Sequence, residues 1–262
     1  MVAVRRVHTG GLGVTLDHLG ENVTSLDEAD ASRDEALRGL RTLNGAGLEP
    51  NVSIKLTQFG LDLDPAACAR NVGEIAAAAC SMPGGFLRVD MESSAYTDRT
   101  ISLVKDLHRK CPAIGTVIQA YLLRSASDVE DLNRLGIRVR LCKGAYLEPH
   151  SIAYASKPDV DANYVRLMRK LLADGHYPAI ATHDEDMIRS TQAFAMEQKI
   201  APDRFEFQML YGIRRDLQRR LIRAGYRVRL YIPYGDAWYP YFMRRLAERP
   251  ANVLFLARNL LR

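Results

Sequence analysis

The stretch PNVSIKL, residues 50–56, decides the fold, because its side chains sort by parity. Val52, Ile54 and Leu56 share one parity, while Ser53 and Lys55 share the other. Side chains of a β-strand alternate between faces, so this segment has one apolar face and one polar face. The same register recurs down the chain. FLRVDM opposes Leu87, Val89 and Met91 to Arg88 and Asp90, and IRVRL opposes Ile137, Val139 and Leu141 to Arg138 and Arg140. FEFQM sets Phe205, Phe207 and Met209 against Glu206 and Gln208, and VRLYI sets Val228, Leu230 and Ile232 against Arg229 and Tyr231. Such strands turn a greasy face to helices and a reactive face elsewhere, which suits a barrel with chemistry at its mouth.

Between the strands lie helical patterns. Strands are predicted over Leu12–Asp17, Asn51–Leu56, Phe86–Met91, Gly115–Ala120, Ile137–Leu141, Ala179–Thr182, Phe205–Met209 and Val228–Ile232. Helices are predicted over Leu26–Asn44, from Asp64-Pro65 onward, over Asp98–Lys110, Asp128–Leu135 and Asp161–Ala173, from Asp184 onward, over Arg214–Ala224 and over Trp238–Glu248. Asp64 before Pro65 is a cap followed by a first-turn proline, and Asp184, Glu185 and Asp186 are acidic first-turn residues. No hairpin dipeptide joins two strands, so the units are parallel. Eight alternating units close more readily into a TIM-type (β/α)8 barrel than into an open sheet. The 262 residues match the usual size of that fold, about 250 residues, and form one domain over 1–262.

Composition narrows the function classes. No apolar run approaches the ~20 residues of a membrane-spanning helix, and MVAVRRVHTGG lacks the apolar core of a signal peptide. Cys68, Cys80, Cys111 and Cys142 form no C-x-x-C pair and read as reduced thiols of a cytosolic protein. The net charge is +5, with seven arginines in GIRRDLQRRLIRAGYRVR, residues 212–229. Nucleic acid or an anionic membrane surface could use that patch. The plainer reading is a solvated helix face around a stripe of Ile213, Leu217, Leu221 and Ala224, and no nucleic-acid partner is expected.

In a βα barrel, the residues at C-terminal strand ends build the active site. Lys55, Asp90, Gln119, Arg140, His183, Gln208 and Tyr231 fall there on the polar parity. Burying that much polarity without function is costly. Arg88, Arg138, Glu206 and Arg229 lie one layer lower and are expected in internal ion pairs. Lys143-Gly144-Ala145-Tyr146 follows the fifth strand, where backbone N–H groups and an ammonium could meet a phosphate. GGLG at 10–13 precedes a strand and is no dinucleotide fingerprint. On the last helix Tyr241, Arg244, Arg245 and Glu248 share one face, and paired arginines match a planar carboxylate. His183 has no second histidine at ligand spacing, so no metal is expected.

With these residues in place, the chain resembles the proline dehydrogenases. The matching pieces are TLDHLGE, SIKLTQ, RVDMESSAYT, VIQAYL, RLCKGAY, ATHD, FEFQMLYG, RLYIPYG and YFMRRLAE, in order over nearly the whole length. The resemblance implies a distorted barrel, with FAD at the C-terminal mouth and the last helix above the substrate. It implies Arg140 at flavin N5, Met91 and Gln119 against the ring, Lys143, Gly144 and Ala145 at the pyrophosphate, and Thr182 and His183 along the nucleotide. Lys55, Arg244 and Arg245 would hold the carboxylate of L-proline, Asp90 would pair with these cations, and Tyr146, Leu210, Tyr231 and Tyr241 would wall the ring. The implied reaction is hydride transfer from proline C5 to FAD, giving pyrroline-5-carboxylate, with the electrons passed to a quinone in the membrane. That places the protein in the cytoplasm or at the inner membrane face. Glu21 is expected to pair with Arg244 as a gate over bound substrate. Only residues 1–11 precede the first strand, so the helical arm usual in the family is expected to be absent. The rival enzyme reading is a barrel-type lyase that forms a Schiff base at Lys55.

Overall fold

The computed structural model describes Val7 and residues 10–235. Eight parallel strands follow one another in sequence order around a closed barrel. They are β1 (Gly13–His18), β2 (Asn51–Ile54), β3 (Phe86–Val89), β4 (Ile114–Gln119), β5 (Arg138–Cys142), β6 (Ala179–Ala181), β7 (Glu206–Leu210) and β8 (Arg227–Tyr234). The helices between them are α1 (Leu26–Gly45), α2 (Pro65–Ser81), α3 (Thr97–His108), α4 (Ser125–Arg134), α5 (Lys157–Asp174), α6 (Glu185–Glu197) and α7 (Arg215–Arg223). The TIM-type barrel expected from strand parity is therefore the fold. Trp238–Glu248, expected as a final helix, lies outside the described residues.

Local signals explain where the helices begin. Ser25 Oγ accepts the Glu28 amide at 3.2 Å, satisfying an amide that the first turn of α1 leaves unpaired, and the Glu28 carboxylate reaches back to the Thr24 amide at 2.7 Å. Asp64 caps Ala66 and Ala67 at the head of α2, with Pro65 behind it. Asp184 accepts from the Asp186 amide at the head of α6. α5 starts at Lys157 rather than Asp161, because Ser156 caps the Asp159 amide and Pro158 occupies the first turn. β2 ends at Ile54 rather than Leu56, because Leu56–Phe59 coil into a 3-10 turn that closes on Gly60 at φ 82°. β3 likewise ends at Val89 rather than Met91.

The chain divides into two compact units. Residues 14–116 with 231–235 form the first, in which Leu40, Leu43, Leu56, Ile75 and Leu87 are fully buried. Residues 10–13 with 117–230 form the second, around Ile118, Leu132, Tyr164, Phe205 and Phe207. The two phenylalanine rings there meet edge-on with centroids 5.5 Å apart.

Three expectations need correction. Cys80 and Cys111 are joined by a disulfide rather than reduced, leaving Cys68 and Cys142 as the free thiols. The end of α2 and the turn after α3 bring the two sulfurs together across 31 residues, a proximity that spacing motifs do not report. In the arginine patch, α7 buries Leu217 and Leu221 as expected, but Ala224 caps the helix and is exposed. Arg214 is not a solvated surface residue: it is buried and paired with Glu185 and Asp216. Among the described residues, no helix is long and apolar enough to cross a membrane.

Candidate active site

In the first unit the polar parity converges at strand ends. Lys55 follows β2 directly, and its Nζ lies 3.1 Å from Asp17 near the end of β1. Their side chains are 3% and 0% exposed, so this is a buried ion pair. Burial outweighs the pull of Lys55 and holds the Asp17 carboxyl above its ordinary range, with Asp90 nearby adding to the rise. Asp90, just past β3, accepts the Tyr231 hydroxyl at 2.8 Å. Glu92 is buried too and accepts the Thr57 amide at 3.1 Å and the Thr57 hydroxyl at 2.6 Å. Burial raises its carboxyl as well, against the pull of those hydrogen bonds. Gln58 Nε2 and His18 Nδ1 approach to 3.3 Å beside this cluster. Asp17, Glu92 and Gln58 were not singled out from sequence. Asp17 could have been, since Thr15 and Asp17 alternate with Val14 and Leu16 as Lys55 alternates in its own strand. Met91 is buried and Glu21 half-buried in the same unit.

In the second unit, Arg140 on β5 donates through Nε to Gln208 on β7, and Gln119 is buried at the end of β4. The lower-layer pair expected between Glu206 and Arg229 is present, with Arg229 Nε 3.0 Å from both carboxylate oxygens. Arg138 lies over the Tyr177 ring at 5.2 Å. In the first unit, Arg88 reaches the Thr116 carbonyl at 3.1 Å. Lys143, after β5, donates to Asp161 and to Asp184, the latter at 2.7 Å. Burial works against ionisation of both carboxyls, yet Lys143 beside them holds each below its usual range. Asp184 thus serves as helix cap and as counter-ion, and only the first of these roles was legible in the acidic run.

Gly144 sits at φ +112°, and a Cβ there would lie 2.1 Å from the Tyr121 ring. Only glycine allows this turn to press its backbone against the tyrosine. Tyr146 packs beside Tyr121, Leu122 and Ala153. Thr182 is buried, and its hydroxyl accepts the Asp184 amide at 3.0 Å. His183 Nε2 accepts the Leu210 amide at 3.0 Å. Burial, with Arg214 nearby, lowers the imidazole to about 4. The ring is therefore neutral near pH 7, with its proton on Nδ1 as a donor. Leu210 itself is exposed and Ala145 half-buried. Tyr241, Arg244 and Arg245, and with them the far half of the expected gate, lie outside the described residues.

A family model described as proline dehydrogenase matches residues 1–258. Proline dehydrogenase 2 of Bacillus subtilis (strain 168) is 43% identical over 257 residues, covering 98% of this chain and 84% of that relative. Proline dehydrogenase of Deinococcus radiodurans is 42% identical over 265 residues, covering 99% and 85%. Among solved structures, proline utilization A from Bdellovibrio bacteriovorus, inactivated by N-propargylglycine, superposes with a TM-score of 0.86 at 25% identity. That match covers 94% of this chain and 31% of the larger one, so the chain spans about a third of that solved protein.

Proposed function

For a chain that belongs to the proline dehydrogenase family, we propose FAD-dependent oxidation of L-proline to pyrroline-5-carboxylate, the first step of proline catabolism. What supports this reading is that each unit buries a cation on the polar parity beside a named partner, Lys55 with Asp17 in the first and Arg140 with Gln208 in the second. Buried cations are retained where an anion must be bound or stabilised, since their burial is otherwise costly.

The residues fit the cofactor by their donor chemistry. Arg140, Gln119 and the Nδ1–H of neutral His183 are donors suited to a ring and a phosphate chain that accept hydrogen bonds. The Lys143–Gly144–Ala145 turn would meet the pyrophosphate, and Met91 and Thr182 would pack along ring and nucleotide. Lys143 carries three protons, of which Asp161 and Asp184 take two, so it would act more as a fixed strut than as an open charge. When bound, FAD would supply a two-electron acceptor for C5 of proline, with a quinone as the onward acceptor.

The chain's own residues bind and orient. Lys55 would hold the substrate carboxylate, together with Arg244 and Arg245. Fixing that carboxylate fixes C5, so the rate gain comes mainly from positioning. Tyr231, oriented by Asp90, would wall the pyrrolidine ring with Tyr146, Leu210 and Tyr241. Arg140 would stabilise negative charge that develops on the reduced ring. Glu21, closing on Arg244, would exclude water. Paired with Asp17, Lys55 would serve as a cation rather than as the nucleophilic amine of a Schiff-base lyase.

The test is an absorbance spectrum of purified protein before and after anaerobic addition of L-proline. A yellow protein whose band bleaches with L-proline, and far less with D-proline, is expected. Protein that stays colourless after incubation with FAD, or a flavin band untouched by L-proline, overturns the assignment.

A further inference from the structure

Four buried polar side chains on residues 117–230 form a continuous line of hydrogen bonds. Arg140 Nε donates to Gln208 Oε1 at 2.5 Å, and Gln208 Nε2 donates to Glu206 Oε1 at 2.5 Å. Glu206 in turn accepts from Arg229 Nε at 3.0 Å. The order of partners fixes the sense of the amide. A carboxylate only accepts and a guanidinium only donates, so the amide nitrogen must face Glu206 and its oxygen must face Arg140. Arg229 Nε lies 3.0 Å from both Glu206 oxygens and holds the carboxylate beside the amide. The register sets this up: Glu206 and Gln208 are two residues apart on β7 and share one face. The bond to Gln208 engages Nε, the edge of the guanidinium nearest the chain, and so sets the plane in which the terminal nitrogens lie.

We propose that Gln208 is a positioning residue for the oxidation: held by Glu206 and Arg229, it fixes the plane of Arg140 and so tunes the reduction potential of bound flavin. The proposal rests on the reading of Arg140 as the cation beside the flavin. A neutral amide is needed at 208 rather than any other polar group of that size. A carboxylate there would face Glu206 with like charge and would offset the positive charge that Arg140 presents. A thioether would fill the space but is only a weak acceptor for Arg140 Nε.

The experiment is a spectroelectrochemical titration of the FAD-loaded full chain, for wild type, Gln208→Glu and Gln208→Met. In Gln208→Glu the ratio of reduced-flavin to oxidised-flavin affinity should fall about tenfold, which lowers the two-electron potential by about 30 mV. Gln208→Met should shift it in the same direction by less. If Gln208→Glu does not fold, Gln208→Met alone decides, a lowered potential supporting the proposal and an unchanged one overturning it. Potentials unchanged in variants that hold FAD and are reduced by L-proline would sink the proposal and leave the assigned activity standing. Two variants that both fail to fold would make Gln208 a structural residue, which also overturns it. Wild type that takes up no FAD removes the functional reading and this proposal with it.

Discussion

Lys55 Nζ lies 3.1 and 3.2 Å from the two carboxylate oxygens of Asp17, so one buried cation is held symmetrically by one buried anion. Removing one partner of a buried ion pair typically costs about 3–5 kcal/mol. Asp17→Asn and Lys55→Met should each lower unfolding free energy by roughly that amount. The double variant should cost less than the two singles together, by about 1–3 kcal/mol, because the orphaned charge disappears. Urea unfolding of the four proteins checks this, and strictly additive costs would show that the pair is not a unit. Asp17→Asn should also weaken L-proline binding, since Lys55 would lose the anchor that aims it.

The barrel was legible in sequence because parity is a local property: each strand carries its alternation within five or six residues, as PNVSIKL does. The polar strand ends were legible for the same reason. What was not legible are partners supplied by distant elements. Asp161 and Asp184 reach Lys143 across 18 and 41 residues, and nothing in RLCKGAY announces that its lysine is already spoken for. The acidic run at Asp184 pointed correctly to a helix start, which hid its second role. The left-handed Arg214, at φ 52°, was likewise read as one more surface arginine, although it is buried against Glu185 and Asp216.

The disulfide gives a prediction independent of the active site. Cys80 and Cys111 close a loop with a separation of 31 residues. Chain entropy alone assigns about 3–4 kcal/mol to a closure of that length. Cys80→Ser, or treatment with dithiothreitol, should lower the Tm with little change in proline turnover. A thiol assay in denaturant should find two free groups, Cys68 and Cys142, before reduction and four after it. Four thiols without reductant would contradict the bond.

His183 sets a pH dependence. Its imidazole is lowered from 6.5 to about 4 by burial and by Arg214. The unfolded chain therefore binds a proton that the folded chain refuses between those values. This contribution to stability is complete above pH 6.5 and is lost as pH falls toward 4. Wild type should lose more unfolding free energy than His183→Gln between pH 7 and pH 5. An NMR titration that places the His183 midpoint near 6.5, with equal losses in both proteins, would contradict the neutral, Nδ1-protonated ring.

Gly144 allows strain and contact to be separated. Its φ of +112° disfavours any residue with a Cβ, and the Cβ itself would strike the Tyr121 ring at 2.1 Å. Tyr121 is buried, so the ring cannot swing aside without disturbing Leu122 and Ala153. Gly136, which follows α4 at φ +70°, has nothing within 4 Å of the same built atom and isolates the backbone term. Gly136→Ala should cost about 1 kcal/mol of stability and leave FAD affinity alone. Gly144→Ala combines backbone strain of order 1–3 kcal/mol with an overpacked ring, so its total cost should be clearly larger. The displaced turn carries the Lys143 and Ala145 backbone proposed to meet the pyrophosphate, so FAD affinity should fall at least about tenfold, or ~1.4 kcal/mol. Thermal unfolding and flavin-fluorescence titration of the two variants separate the effects. A Gly144→Ala protein that loses stability yet binds FAD as tightly as wild type would move the pyrophosphate away from this turn.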